Sequence, residues 1–302
     1  MTDVRQRVGV IGATSIIGDF LLTLLVENGY DVVAFTRRAL PRAEQHATQG
    51  VTWRLLPTKK LSDAVTIKIK KWICLAPIWF LPEHFSLLKS CDASHVVAVS
   101  STSRFTKGES SDPAERKLVE NIAENEKRLT AWAEKEKLTF TILRPTLVYG
   151  RGRDKNISVI ARFIKRFSFF PLLGKARGFR QPVHAQDVAF ACLAALTSSK
   201  AANRSYNISG GEIVSYREMV GRIFLSVGRK PRFLEFPLWL FRLAIFFLRV
   251  LPPFRKWSPA MAERMNQNLV FDYQEAARDL NFAPRQFVLR REDIFADEDS
   301  KA

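Results

Sequence analysis

Short apolar runs alternate along the chain with longer stretches whose apolar residues recur at helical spacing. Seven runs read as strands: Arg7–Ile11, Asp31–Thr36, Val51–Leu55, Lys71–Leu75, His95–Ser100, Thr139–Leu143 and Ser205–Ile208. Amphipathic helices are predicted between them, most clearly over Asp112–Glu136 and Gln186–Ser198. Alternation of this kind predicts an α/β fold with a doubly wound parallel sheet of about seven strands. Val96–Val99 and Thr139–Leu143 read as central strands buried on both faces. Residues 151–180 and everything after Ser209 break the alternation. Both are expected at the carboxyl edge of the sheet, where open α/β sheets bind ligands. The expected organisation is a sheet domain of residues 1–150 with about 181–209. A small, mainly helical C-terminal substrate domain takes about 151–180 with 210–296, and 297–302 form a tail.

One loop adds chemistry to this pattern. Gly12-Ala13-Thr14-Ser15-Ile16-Ile17-Gly18 follows the apolar Val8, Val10 and Ile11 and precedes Phe20, Leu21, Leu24 and Leu25. A strand, a tight glycine turn and a helix form the context in which a loop binds a dinucleotide. The turn admits the pyrophosphate, and the helix N-terminus supplies N–H donors and partial positive charge. The candidate cofactor residues here are Gly12, Thr14, Ser15, Ile16, Ile17 and Gly18. The next strand ends in Arg37-Arg38. An arginine pair there suits the 2′-phosphate of NADP better than an acidic residue would, with NAD as the alternative. The plainer alternative is a βαβ unit without a ligand.

Composition narrows the class. The 302 residues are 47% apolar and include six Trp, which argues for a packed globular protein. Cys74, Cys91 and Cys192 are scattered, odd in number and without metal-ligand spacing. They read as buried thiols in a reducing compartment, and no metal site is expected. Met1–Arg7 leads straight into a strand, so no signal peptide is expected and the expected location is cytoplasmic.

The net charge of +17 is unevenly placed. Residues 151–180 hold nine Lys/Arg against one Asp, and residues 222–256 hold eight against one Glu. Such concentration implies an anionic partner: a diphosphate ligand, an anionic membrane surface or nucleic acid. Solvated helix faces are the plain alternative. Nucleic acid is not expected, because no reader motif accompanies the charge. Phe233–Leu251 is very apolar yet broken by Arg242 and Arg249. Its longest uncharged run is six residues, against the roughly 20 that a spanning helix needs. With Arg229, Lys230, Arg232, Arg255 and Lys256 beside it, it reads either as an interfacial helix at the inner face of the cytoplasmic membrane or as a helix packed into the small domain.

From residue 7 to about 290 the chain resembles an extended short-chain dehydrogenase/reductase of the NAD(P)-dependent sugar epimerase/dehydratase group. The Gly12–Gly18 loop is similar to that group's Gly-x-x-Gly-x-x-Gly, with Ser15 for the middle glycine. Val99-Ser100-Ser101-Thr102 resembles the strand end carrying the catalytic hydroxyl, which falls on Thr102 beside Ser101. Leu143-Arg144-Pro145-Thr146-Leu147-Val148-Tyr149-Gly150 resembles the element beside the nicotinamide. Arg180 to Ala189 resembles the segment whose arginine grips a nucleotide-sugar diphosphate, and Tyr206 to Gly211 and Asp272 to Pro284 also follow the group. The resemblance implies a Rossmann-like fold and further cofactor residues Ala76, Pro77, Ser100 and Pro145. It implies substrate residues Thr146, Asn156 and Arg180, with a loop cap as the plain role for Asn156. It also implies a homodimer built on the two long helices.

The group's Tyr-x-x-x-Lys pair is missing. Its positions fall on Leu118 and Ile122, the acid of that helix falls on Glu126, and no tyrosine lies between Tyr30 and Tyr149. That pair normally supplies a phenolate that moves the hydroxyl proton while hydride reaches the nicotinamide. Three readings remain open. The first draws another base from Glu115, Lys117, Glu120 and Asn121, each also explicable as a solvated helix face. In the second the reaction needs no strong side-chain base. Or the cofactor site persists without chemistry. The expected function is therefore an epimerase, dehydratase or reductase acting on a nucleotide-diphosphate or polyprenyl-diphosphate sugar in envelope polysaccharide synthesis. The alternative is a catalytically silent NADP-binding structural or regulatory protein.

Overall fold

Arg7–Ile11 (β1) buries its last four residues. It pairs in parallel with Asp31–Thr36 (β2) on one side and Lys71–Cys74 (β4) on the other. Val51–Leu55 (β3), His95–Val99 (β5), Thr139–Pro145 (β6) and Arg204–Ile208 (β11) complete a seven-stranded sheet of order β11-β6-β5-β4-β1-β2-β3. Every pairing in it is parallel. The computed structural model describes residues 6–38, 49–57, 67–106, 108, 110–239 and 259–295. The chain winds outward from β1 to β3 in one direction and from β4 to β11 in the other. The crevice at the carboxyl ends of β1 and β4 is thus the switch point at which open α/β sheets bind ligands.

Helices α1 (Ile16–Glu27), α2 (Phe85–Ser90), α3 (Pro113–Glu136), α4 (Ile157–Phe167) and α5 (Ala185–Thr197) precede the last sheet strand. Alternate strand residues face opposite sides. Val8, Val10, Val32 and Ala34 pack with Leu21, Leu25, Val188 and Cys192 from α1 and α5. Val33, Phe35, Trp72 and Val96 pack with Leu87, Ile122 and Leu129 from α2 and α3. The Rossmann-like α/β architecture expected from the alternation is therefore present. Strand β6 runs two residues past its expected end because β11 keeps pairing, with Asn207 opposite Arg144 and Ile208 opposite Pro145. That extension sets Arg144 at the rim of the sheet.

A separate core lies beyond the rim. Tyr149, Ile157, Ile164, Leu172, Phe224 and Phe287 are buried together there. Helices α4, α6 (Tyr216–Ser226) and α7 (Pro259–Asn266) build this region with the short strands β7 (Val148–Tyr149), β8 (Phe170–Leu173), β9 (Phe179–Arg180), β10 (Val183–His184), β12 (Val214–Ser215) and β13 (Phe233–Phe236). It is thus less purely helical than expected, with ladders β7/β10, β9/β12 and β8/β13. The start of the Phe233–Leu251 stretch is corrected too. Phe233–Phe236 is a strand, paired in parallel with Phe170–Leu173, and Pro231 and Pro237 bound it. Residues 240–258, with Arg242, Arg249, Arg255 and Lys256, lie outside the described residues. No helix among the described residues is long and apolar enough to cross a membrane.

Candidate dinucleotide and substrate site

The loop after β1 is built from backbone. Gly12 adopts φ +78°, and a β-carbon there would lie 2.5 Å from the amide nitrogen of Ala76. At Gly18 a β-carbon would lie 1.9 Å from the carbonyl oxygen of Ala13. Both glycines therefore let the turn close tightly against β4 and against its own helix. Ser15 accepts a hydrogen bond from the Gly18 amide at 3.1 Å and caps α1. The serine that stands for the middle glycine is thus a helix cap. It leaves the Ile16 and Ile17 amides without an acceptor among the described residues. Thr14 is exposed at the crown of the loop. An open helix N-terminus behind a close glycine turn fits a pyrophosphate.

At the end of β2, Arg37 and Arg38 are exposed. The Arg37 guanidinium stacks 5.1 Å above the Phe80 ring, on the 3₁₀ turn that follows Ala76 and the exposed Pro77. Thr36 Oγ1 accepts from the Arg38 amide at 3.3 Å and fixes the turn. Two cations at this strand end, with no carboxylate beside them in the sequence, suit a phosphorylated ribose better than a free 2′-hydroxyl.

The carboxyl ends of β5 and β6 carry side-chain chemistry instead. Glu126, on α3, is 1% exposed. It accepts from Ser100 Oγ at 2.6 Å and from Arg144 Nη2 at 2.8 Å, and it pairs with Arg104. Burial alone would raise its carboxyl. The hydrogen bonds from Arg144 and Ser100 and the charges of both arginines outweigh burial and hold it below the usual carboxylate range. Thr102 is buried, and its hydroxyl donates to the Pro145 carbonyl at 3.2 Å. Ser101 Oγ accepts from the Ser103 amide at 3.1 Å. All three hydroxyls on this ledge are engaged.

The two positions where the resemblance places tyrosine and lysine are apolar wall. Ile122 is 2% exposed within the core, and Leu118 packs against the same cluster. The candidate replacements are occupied or point to water. Glu115 pairs with Arg264 and accepts from Ser110 at 2.8 Å. Asn121 accepts from Asn125 at 2.7 Å, and Lys117 and Glu120 are exposed. Tyr149 belongs to the second core, edge-on to His184 and Phe287.

The expected substrate residues divide. Asn156 is exposed, and its side chain does not cap α4. Asp154 does so, accepting from the Asn156 amide at 2.8 Å and from Ser158. Thr146 donates to the Gln181 carbonyl at 2.5 Å and ties the rim to the strand after it. Arg180, expected to grip a diphosphate, is 4% exposed. It donates to the carbonyls of Phe179 and Gln267 at 2.8 Å and to that of Arg264. Burial pulls its guanidinium down to about 10. In this arrangement it is a backbone clamp rather than an open anion site. The exposed cations Arg151 and Lys155 lie nearer the surface on the same segment. Sequence reasoning did not foresee two further features: Arg104 beside Glu126, and the Ser111–Glu263 bond of 3.1 Å that fastens the segment leading into α3 to α7.

Residues 85–209 match the family model described as the NAD dependent epimerase/dehydratase family. They span α2 through β11, the half of the sheet that carries the ledge. Over these residues the chain is similar to that family. A UDP-glucose 4-epimerase of Vibrio cholerae is 28% identical over 121 residues, which is 40% of this chain and 37% of that protein. The NADH dehydrogenase 1 alpha subcomplex subunit 9 of Arabidopsis thaliana is 29% identical over 98 residues, 32% of this chain and 24% of that one. The chain therefore spans well under half the length of these curated relatives. A Thermotoga maritima UDP-glucose 4-epimerase solved with UDP-glucose has the same fold, with a TM-score of 0.69 at 16% identity over 96% of each chain.

Proposed function

We propose that this protein binds NADP in the loop after β1 and acts as an epimerase-, dehydratase- or reductase-type enzyme on a sugar carried by a diphosphate. The observation that carries the reading is the juxtaposition of an open helix N-terminus behind Gly12–Gly18 with a polar ledge at the ends of β5 and β6. The residues fit the cofactor. Ile16 and Ile17 amides would meet its pyrophosphate, and Arg37 and Arg38 would meet a 2′-phosphate. Bound there, the nicotinamide would supply hydride exchange. The protein's own part is orientation and charge: Arg144 and Arg104 face one buried carboxylate and leave net positive charge beside Thr102. With Leu118 and Ile122 in the α3 wall, proton transfer falls to the substrate or to water. The diphosphate carrier is a nucleotide or a polyprenyl chain, the substrate type of envelope polysaccharide synthesis. The basic 151–180 segment and the likeness to the Vibrio epimerase support this.

A second reading is a silent NADP-holding subunit. The buried Ile122, the engaged Thr102 hydroxyl and the likeness to the Arabidopsis NADH dehydrogenase subunit favour it. Calorimetry with NADP and NAD, followed by NMR of UDP-sugars and polyprenyl-diphosphate sugars incubated with the loaded protein, separates the two. Binding with interconversion of a sugar supports the enzyme. Binding without any conversion supports the subunit, and absence of NADP binding defeats both.

A further inference from the structure

The surface at the far end of the second core has a composition that neither the cofactor loop nor the ledge uses. Residues 155–177 contain no Asp or Glu. Lys165 and Arg166 stand exposed on the last turn of α4, Lys175 and Arg177 on the turn after β8, and Lys230 and Arg232 just before β13. None of these six pairs with a carboxylate among the described residues. The one acid between 228 and 239, Glu235, is held by Arg217. The pieces are contiguous. Arg229 bonds to Ser168 and to the Lys165 carbonyl, the Phe170 amide donates to the Arg232 carbonyl at 2.9 Å, and β13 runs along β8. Among the described strands β13 has no partner on its outer side.

Apolar side chains stand among these cations. Phe167 is 48% exposed, Leu234 47% and Trp239 67%. The Arg166 guanidinium lies 5.4 Å over the Phe167 ring. We propose that this face, formed by the end of α4, the β8 turn and β13, docks on an anionic lipid bilayer. Unpaired cations draw in acidic headgroups, and protruding aromatic and aliphatic groups enter the boundary between headgroup and hydrocarbon. A second copy of the chain would bring like charge against like charge. An aliphatic side chain such as Leu234 offers nothing to a nucleic-acid base, whereas hydrocarbon accepts it. The proposal stands on this surface alone and does not depend on the cofactor or the reaction.

The test is co-sedimentation of the full chain with vesicles of phosphatidylcholine alone and with added phosphatidylglycerol, at low and at physiological salt. We expect binding to the acidic vesicles only, weakened by salt. Lys165→Glu/Arg166→Glu/Lys230→Glu should lower the partition at least about tenfold, and Leu234→Ser/Trp239→Ser about fivefold. Both variants should keep the wild-type thermal melt and far-ultraviolet circular dichroism. Equal binding to neutral vesicles, or an unchanged partition in the triple variant, overturns the proposal. So does charge-dependent binding of an RNA oligomer or self-association while vesicles are ignored.

Discussion

The carboxyl ends of β1 and of β5 lie on the same sheet, separated by β4 alone, yet they are made of different material. At β1 the functional groups are backbone amides, made available by Gly12, Gly18 and the Ser15 cap. At β5 they are side chains, and each is tied: Ser100 to Glu126, Thr102 to Pro145, and Arg144 and Arg104 to the same carboxylate. A backbone site survives almost any side-chain exchange outside its glycines. A side-chain site is remade whenever one residue changes, and here Leu118 and Ile122 make the nearby wall of α3 apolar. The β1 half therefore rests on backbone geometry while the β5 half rests on its own side chains.

The sharpest way to break this contrast is at Glu126. Glu126→Ala leaves Arg104 and Arg144 facing each other in a largely buried site without their shared anion. Removal of one partner from a buried pair costs about 3–5 kcal/mol. Chemical denaturation should show that loss together with little change in m-value. The same carboxylate sets a pH limit. Its folded pKa lies below the unfolded value, so its stabilisation is complete above the unfolded carboxylate range near 4.3 and declines as pH falls through the folded value. Melting temperatures of Glu126→Gln followed down the acid limb should fall less steeply than those of the wild type. Equal slopes would mean that another group governs acid unfolding.

Gly12→Val strikes the other half. It forces a β-branched residue to φ +78° against the Ala76 backbone. Strain and overpacking together cost about 3 kcal/mol, and NADP binding by calorimetry should vanish. Next in size, Arg37→Ala/Arg38→Ala should weaken NADP about 10- to 100-fold and NAD hardly at all. An equal loss for both dinucleotides would remove the arginines from the 2′-phosphate.

This division also decides what was legible in the sequence. All seven sheet strands and both long helices follow from period alone, because β1, β5 and β6 are buried on both faces and Asp112-Pro113 marks a helix start. The tight turn after β1 was legible because glycines at a fixed spacing let the backbone close against β4 and α1. The ledge was only half legible. Arg104 and Glu126 are 22 residues apart, and nothing local says that an arginine on the short helix Ser103–Thr106 reaches a carboxylate on α3. The setting of Arg180 was hidden for the same reason: besides the adjacent Phe179 carbonyl, its partners are the carbonyls of Arg264 and Gln267, 84 and 87 residues further on. Phe233–Phe236 reads as helix until β8 stands beside it.

The smallest expected effect on the fold is the one that best separates holding a cofactor from using it. Thr102→Val preserves shape and removes a single hydroxyl whose hydrogen bond goes to the Pro145 carbonyl. Loss of such a buried bond costs about 1 kcal/mol, and the NADP affinity should stay at its wild-type value, because β1 and β2 do not depend on it. If the ledge orients a sugar hydroxyl during hydride exchange, turnover of the sugar substrate should fall by about two orders of magnitude at unchanged cofactor affinity. That split between binding and turnover is the expected outcome. A variant that converts sugar as fast as the wild type would leave Thr102 as nothing more than a strand-end tie and would move the reacting edge away from β5.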